Sequence, residues 1–193
     1  MGQRLQSERA YTATMNDDNI VYSGRYLRMR NQDGWEYAER TNPQGAVIVV
    51  ATTPANKVLM VEQYRLPIRA TTLEFPAGLI GDDPGQQSEA VERAARRELI
   101  EETGWSPRRI EPLMHGPSSA GMSNEIMHFV RAFDLEKVAD GGGIEGEQIT
   151  VHEIPLDQIA SYVAEHAQRG YLIDPKVYAG IYFLERDAWG QPW

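Results

Sequence analysis

Three glutamates fall within five positions of one short stretch, Glu98, Glu101 and Glu102 in the segment RELIEETG (97–104). At i, i+3 and i+4 they share one side of a helix. Like charges at that spacing repel by roughly a few tenths of a kcal/mol per pair, so helix folding alone gives no reason for them. A hard divalent cation such as Mg²⁺ binds carboxylate oxygens and would reverse the sign of the interaction. The surrounding residues support a helix over about 89–103. Ser88 stands as the N-cap, with Glu89 and Glu92 in the first turns, where negative charge suits the macrodipole. Val91, Ala95 and Leu99 make an apolar i, i+4 ridge for the core. The Glu98/Glu102 ridge is turned from it by about 100° and so borders the core. Arg97 can pair with Glu101, and Gly104 is the stop.

The loop before this helix carries Gly78, Gly81, Asp82, Asp83, Pro84 and Gly85, strong turn chemistry. The 193 residues suffice for one core, and 41% hydrophobic and 24% charged residues are ordinary for a globular protein. A net charge of −9 argues against a nucleic-acid partner and obliges an anionic substrate to find a local basic site. Without cysteine there is no disulfide, thiol nucleophile or zinc–thiolate site. No apolar run reaches the roughly 18 residues of a membrane span, and no signal-peptide core stands at the N-terminus. A cytoplasmic protein with no membrane partner is expected.

Residues 1–18 are polar and read as a flexible N-terminus, with a single domain over 19–193. Strand-like alternation covers 19–30 and 35–40 around the turn Asn31-Gln32-Asp33-Gly34. Further strands are expected at 45–52, 57–64, 71–76, 108–115, 125–134 and 149–154, and helices at 155–168 and from Asp174-Pro175 to about 187. Gly141-Gly142-Gly143 reads as the one obvious flexible spot. The class is α/β, a mixed sheet between helices. His115, His128, His152 and His166 show no ligand spacing and read as packing or surface residues, His152 alone being near the proposed site.

Arg97-Glu98-Leu99-x-Glu101-Glu102-x-Gly104-Trp105, with Glu89 eight residues before Arg97, resembles the box of the Nudix hydrolases, G-x5-E-x7-R-E-U-x-E-E-x-G-U with U a bulky apolar residue. Counting back from Glu89 puts the box glycine on Asp83; the FPAGLI context assigns it instead to Gly78, with five extra loop residues. GAVIVVA, EQYRLP and EFPAG resemble the ADP-ribose and nucleotide-sugar pyrophosphatase branch. The resemblance implies an α/β/α sandwich with an N-terminal β-hairpin arm at 19–40 that joins a homodimer. It implies Mg²⁺, or Mn²⁺ in its place, held by Glu98, Glu101, Glu102 and the carbonyl of Ala77, with Arg97 and Glu89 steadying the helix.

In Glu145-Gly146-Glu147 it implies a base at Glu145 and a metal contact at Glu147, with the two roles exchangeable. Tyr26 and Trp35 match the segment where a member of this branch holds adenine between two rings; packing of the hairpin onto the core is the alternative. Arg65 is the best contact for the diphosphate or terminal sugar, since guanidinium grips phosphate bidentately. The implied reaction cleaves the diphosphate of a small nucleotide sugar to a nucleoside monophosphate and a sugar phosphate. A proline expected fifteen or sixteen residues beyond the box is Ala120 here, with Pro117 three residues early. That leaves GDP-mannose and other nucleotide sugars open. A non-cleaving sensor and a hydrolase of dinucleoside polyphosphates, coenzyme A or a triphosphate are the rivals.

Overall fold

The computed structural model describes residues 19–41, 45–81, 90–144 and 146–193. The stretch expected as one strand over 19–30 is two, β1 (Ile20–Ser23) and β2 (Leu27–Gln32). The chain bends between them, where the Gly24 N–H donates to the Leu27 carbonyl at 2.8 Å. β3 (Trp35–Arg40) returns antiparallel to β2 through Asp33 and Gly34, at φ 53° and 84°. Two successive left-handed residues match the right-handed twist of a two-residue hairpin. The three strands form a separate small sheet, which meets the rest of the chain where the Ala38 N–H donates to the Met122 carbonyl at 2.8 Å.

Then come β4 (Gly45–Ala51), β5 (Lys57–Arg65), β6 (Ala70–Glu74), β7 (Ala77–Ile80), α1 (Val91–Thr103), β8 (Trp105–Pro117), β9 (Ile126–Lys137), β10 (Ile149–Pro155), α2 (Ile159–Gln168), β11 (Leu172–Ile173) and α3 (Lys176–Glu185). They build two four-stranded sheets, ordered β10-β5-β6-β11 and β7-β4-β9-β8. Both are mixed: β4 runs parallel to β9 and β6 to β11, while the other pairs are antiparallel. Two strands depart from expectation. The FPAGLI stretch, read as loop, pairs as β7 with β4, and β11 adds a short edge to β6.

Alternation along β4 sorts the core into two layers. Val47, Val49 and Ala51 pack with Ala94, Ala95 and Leu99 of α1. Ile48 and Val50 face the other way, into a cluster with Ile159 and Val163 of α2 and Val177, Phe183 and Leu184 of α3. The α/β/α sandwich follows: α1 on one side, α2 and α3 on the other. α1 stops at Gly104, in the left-handed conformation at φ 72°. The Asp174 carboxylate accepts the Lys176 N–H at 2.8 Å and caps α3 as its sequence suggests.

Candidate active site

The α1 register that buries Ala95 and Leu99 turns Glu98 and Glu102 against β7, where they are only 8% and 6% exposed. Charges so nearly buried need partners. The Ala77 N–H donates to Glu102 Oε2 at 3.1 Å. Arg97 Nη1 donates to Glu98 Oε1 at 2.8 Å and to Glu101 Oε2 at 3.3 Å. Its Nη2 donates to the Leu79 carbonyl at 2.9 Å. Arg97 therefore ties the glutamate helix to β7, and Gly78 between these contacts leaves room for the Glu98 carboxylate.

The three glycines at 141–143 act as a brace rather than a free loop. The Gly142 N–H donates to the Glu102 carbonyl at 2.7 Å and the Gly143 N–H to the Glu101 carbonyl at 3.0 Å. These are carbonyls that the end of α1 would otherwise leave unpaired. Gly141 has φ 79°, and a Cβ there would meet the Thr103 carbonyl carbon at 2.4 Å, so no side chain fits. Docked this way, the segment carries Glu147 to the same cleft as the helix glutamates.

The cleft has a volume of about 590 Å³ and is lined by Glu98, Glu101, Glu102, Glu147, Arg65 and Ala77 among others. Burial and the negative charge of Glu98 push the Glu102 carboxyl up to about 9, with Glu147 adding to the rise; the hydrogen bond from Ala77 opposes it. Two nearly buried carboxylates, Glu98 and Glu102, thus meet the more open Glu101 and Glu147 in one cleft, a donor set suited to a hard divalent cation.

Arg65 lies in the cleft and is engaged by a residue that sequence reading passed over. Its Nε and Nη2 donate to Glu74 Oε1 and Oε2, each at 2.8 Å. Burial alone would raise the Glu74 carboxyl, but the hydrogen bonds from Arg65 and Thr72 outweigh it and hold it below its ordinary value. The signal was present: Glu74 is a lone acid between Leu73 and Phe75, both buried. The fork to Glu74 fixes the guanidinium plane of Arg65, which lines the cavity. Arg40, which donates to Glu125 Oε1 at 2.5 Å, lines the same cleft and was also passed over.

Tyr26 and Trp35 are exposed and stand at opposite ends of the β2–β3 ladder, whose register runs from Leu27↔Arg40 to Gln32↔Trp35. That span is about 17 Å at strand rise, too far for one chain to sandwich one base between both rings. Glu89, Ser88 and Glu145 lie outside the described residues. His152 is not a cleft residue: it meets Glu62, which points to the opposite face of β5 from Gln63 and Arg65.

The family model described as NUDIX domain matches residues 42–175. The chain is 33% identical over 178 residues to a methanol dehydrogenase activator of Bacillus methanolicus, covering 86% of this chain and 88% of that one. It is 31% identical to an ADP-ribose pyrophosphatase of Bacillus subtilis strain 168, over 73% of this chain and 72% of the other. It is 33% identical to a GDP-mannose pyrophosphatase of Yersinia enterocolitica, over 80% and 77%. The crystal structure of an ADP compounds hydrolase superposes with a TM-score of 0.64 at 22% identity, over 86% of this chain and 88% of that one, a likeness of fold.

Proposed function

The chain belongs to the Nudix family, and from that premise we propose that it hydrolyses the diphosphate of ADP-ribose or a related nucleotide sugar, releasing a nucleoside monophosphate and a sugar phosphate. The observation that carries the reading is the convergence of Glu98, Glu101, Glu102 and Glu147 on one cleft beside Arg65. The relatives named as ADP-ribose and GDP-mannose pyrophosphatases support the substrate class.

Glu98, Glu101, Glu102 and the Ala77 carbonyl would hold Mg²⁺, or Mn²⁺ in its place, with Glu147 a further contact. Bound there, the cation would neutralise the diphosphate and polarise its phosphoryl oxygens. The chain's own groups do the rest. Arg65, its plane fixed by Glu74, binds the diphosphate or terminal sugar. Arg97 positions Glu98 and Glu101, and Glu89 serves the same helix. Glu145 takes the proton of the attacking water, whose oxygen bonds to phosphorus as the bridging oxygen leaves with the other product.

Residues 19–193 form one Nudix domain in this reading, and the hairpin arm at 19–40 joins two copies. Exposed Val21, Tyr22, Tyr26, Leu27, Met29 and Trp35 supply an apolar surface for that contact. A base held between Tyr26 and Trp35 then takes one ring from each chain. The protein works in the cytoplasm; no described helix is long and apolar enough to cross a membrane.

A second reading, activation of another enzyme, draws on the methanol dehydrogenase activator, whose likeness spans more of this chain than that of either pyrophosphatase. Product analysis with Mg²⁺ and, separately, ADP-ribose, GDP-mannose and ADP-glucose tests the first reading. AMP plus ribose 5-phosphate, abolished by EDTA, is the expected result. GMP plus mannose 1-phosphate alone would move the substrate to GDP-mannose. No cleavage of any of the three would overturn the proposal.

The raised Glu102 carboxyl sets a pH dependence. Its folded value of about 9 lies above the ordinary 4.5, so the folded protein holds this proton more tightly than the unfolded chain. Stability of the metal-free protein therefore falls as pH rises from about 4.5 to about 9 on this account. Mg²⁺ must displace the same proton, so its affinity rises with pH across that window. Thermal melts at several pH values, with and without Mg²⁺, check both trends. A Mg²⁺-induced rise in Tm that shrinks as pH increases would contradict them.

A further inference from the structure

A second group of metal-type ligands sits on the far side of the sheet from the cleft. Along β5, Gln63 and Arg65 face the cavity, so Glu62 faces α2. β10 pairs His152 with Met60, putting its ring on that same face. α2 brings His166 down onto both. His152 Nε2 lies 3.2 Å from Glu62 Oε2, and His166 Nε2 lies 4.0 Å from the same oxygen. All three ligand atoms are within 4.8 Å of one another.

The other two ring nitrogens are occupied by a single residue. His152 Nδ1 is 2.8 Å from the Tyr162 hydroxyl, and His166 Nδ1 is 3.2 Å from the Tyr162 carbonyl. A carbonyl only accepts, so His166 Nδ1 carries a proton, and whenever the ring is neutral its Nε2 is a lone pair that stands 4.0 Å from Glu62 Oε2. His166 is 4% exposed and stacks on the Tyr162 ring with centroids 4.2 Å apart, so its ring cannot turn away freely. A lone pair and a carboxylate oxygen facing each other repel unless a cation or proton stands between them.

We propose that Glu62, His152 and His166 bind a transition-metal dication, Zn²⁺ foremost, at a site separate from the carboxylate cleft. A tetrahedral ion with bonds of about 2.0 Å places its ligand atoms about 3.3 Å apart. The Glu62–His152 spacing already meets that value, and His166, 4.0 Å from Glu62 and within 4.8 Å of His152, must close by about 0.7 Å toward the first and by at most about 1.5 Å toward the second. Two imidazoles select Zn²⁺, Ni²⁺ or Cu²⁺ over Mg²⁺. Hydrogen bonds from the remote ring nitrogens to a carbonyl and a hydroxyl are the arrangement that orients histidine ligands. Glu62 and His152 keep about a fifth of their side-chain surface open, at 20% and 22%, which leaves a fourth position for water. The ion would join β5, β10 and α2, and its role would be to fasten α2 to the sheet.

Full-length protein stripped with chelator and dialysed would be titrated with Zn²⁺ in a large excess of Mg²⁺, which saturates the cleft carboxylates. One zinc retained per chain after gel filtration, with a raised Tm, is the expected result. Glu62→Gln and His152→Ala should each weaken zinc binding by about tenfold or more. Should either variant misfold by circular dichroism, Co²⁺ added to the unaltered protein decides. The intense visible absorption of a four-coordinate ion supports the site, and the weak absorption of a six-coordinate carboxylate complex overturns it. Zinc retention unchanged in folded Glu62→Gln, or no retention over Mg²⁺ in the unaltered protein, would also overturn it. In that case the three side chains are only a hydrogen-bonded cluster.

Discussion

Replacing Glu102 by glutamine is expected to lower kcat on a cleaved nucleotide sugar by about a thousandfold or more, some 4 kcal/mol of transition-state stabilisation, and to raise the Tm of the metal-free protein. The two effects have one origin. Glu102 is nearly buried beside Glu98, with its carboxyl pushed up to about 9. At neutral pH the metal-free fold therefore carries it largely protonated or pays for its charge. An amide has nearly the same shape and no charge, and its oxygen can still accept the Ala77 N–H that Glu102 Oε2 accepts at 3.1 Å. On the proposed reading the variant loses a cation ligand while the fold loses a source of strain. Its stability should no longer fall between pH 4.5 and 9, the window set by the ordinary and folded values. Steady-state turnover at saturating Mg²⁺ and melts in EDTA test the pair. Wild-type kcat would remove Glu102 from the metal site. A lower Tm in EDTA at neutral pH would show that its ionised form was stabilising.

The parts of this site that follow a local rule could be read from the chain, and the parts made by distant pairing could not. α1 was legible because apolar Ala95 and Leu99 recur at helical spacing and Gly104 stops the run. The direction of Glu98 and Glu102, bordering the core, followed from the same geometry. β7 was missed because its four residues contain a glycine and follow a proline, a loop signature. Only pairing with β4, some thirty residues earlier, makes it a strand. The glycines at 141–143 signalled freedom by composition, yet their N–H groups cap α1. Nothing in a glycine run says which carbonyls it will meet. Glu62, His152 and His166 showed no ligand spacing because they come from two strands and a helix, brought together by the β5–β10 register and by the packing of α2 on it. Tyr26 and Trp35 looked like a pair in sequence, and the bend at Gly24 with the turn at Asp33-Gly34 sends them to opposite ends of one ladder.

Gly78→Ala is expected to cost about a hundredfold in kcat/KM while destabilising the protein by only about 1 kcal/mol. Gly78 is not among the glycines with positive φ, so alanine suits its backbone and the whole effect is one of space. A Cβ there would stand 1.8 Å from Glu98 Cδ and 1.9 Å and 2.2 Å from its two carboxylate oxygens. The strand cannot yield, because β7 is paired along its length with β4 and held to α1 through Arg97 and the Leu79 carbonyl. What moves is the end of the Glu98 side chain. Moving it is cheap for folding, since a flexible chain can turn, and on the proposed function expensive for catalysis, since a carboxylate leaves the proposed cation site. On this account Gly78 is required by the glutamate packed over it, whatever the number of residues between β7 and α1. The double variant Gly78→Ala/Glu98→Asp separates this account from a general loss of structure. Aspartate withdraws the carboxylate by one methylene and makes room for the new methyl group. Added to Glu98→Asp, the alanine should cost far less than it costs beside glutamate, a coupling that a double-mutant cycle measures directly. Equal costs in both backgrounds would mean that Gly78 serves the strand rather than Glu98, and wild-type activity in Gly78→Ala would mean that Glu98 does not work from the place it occupies.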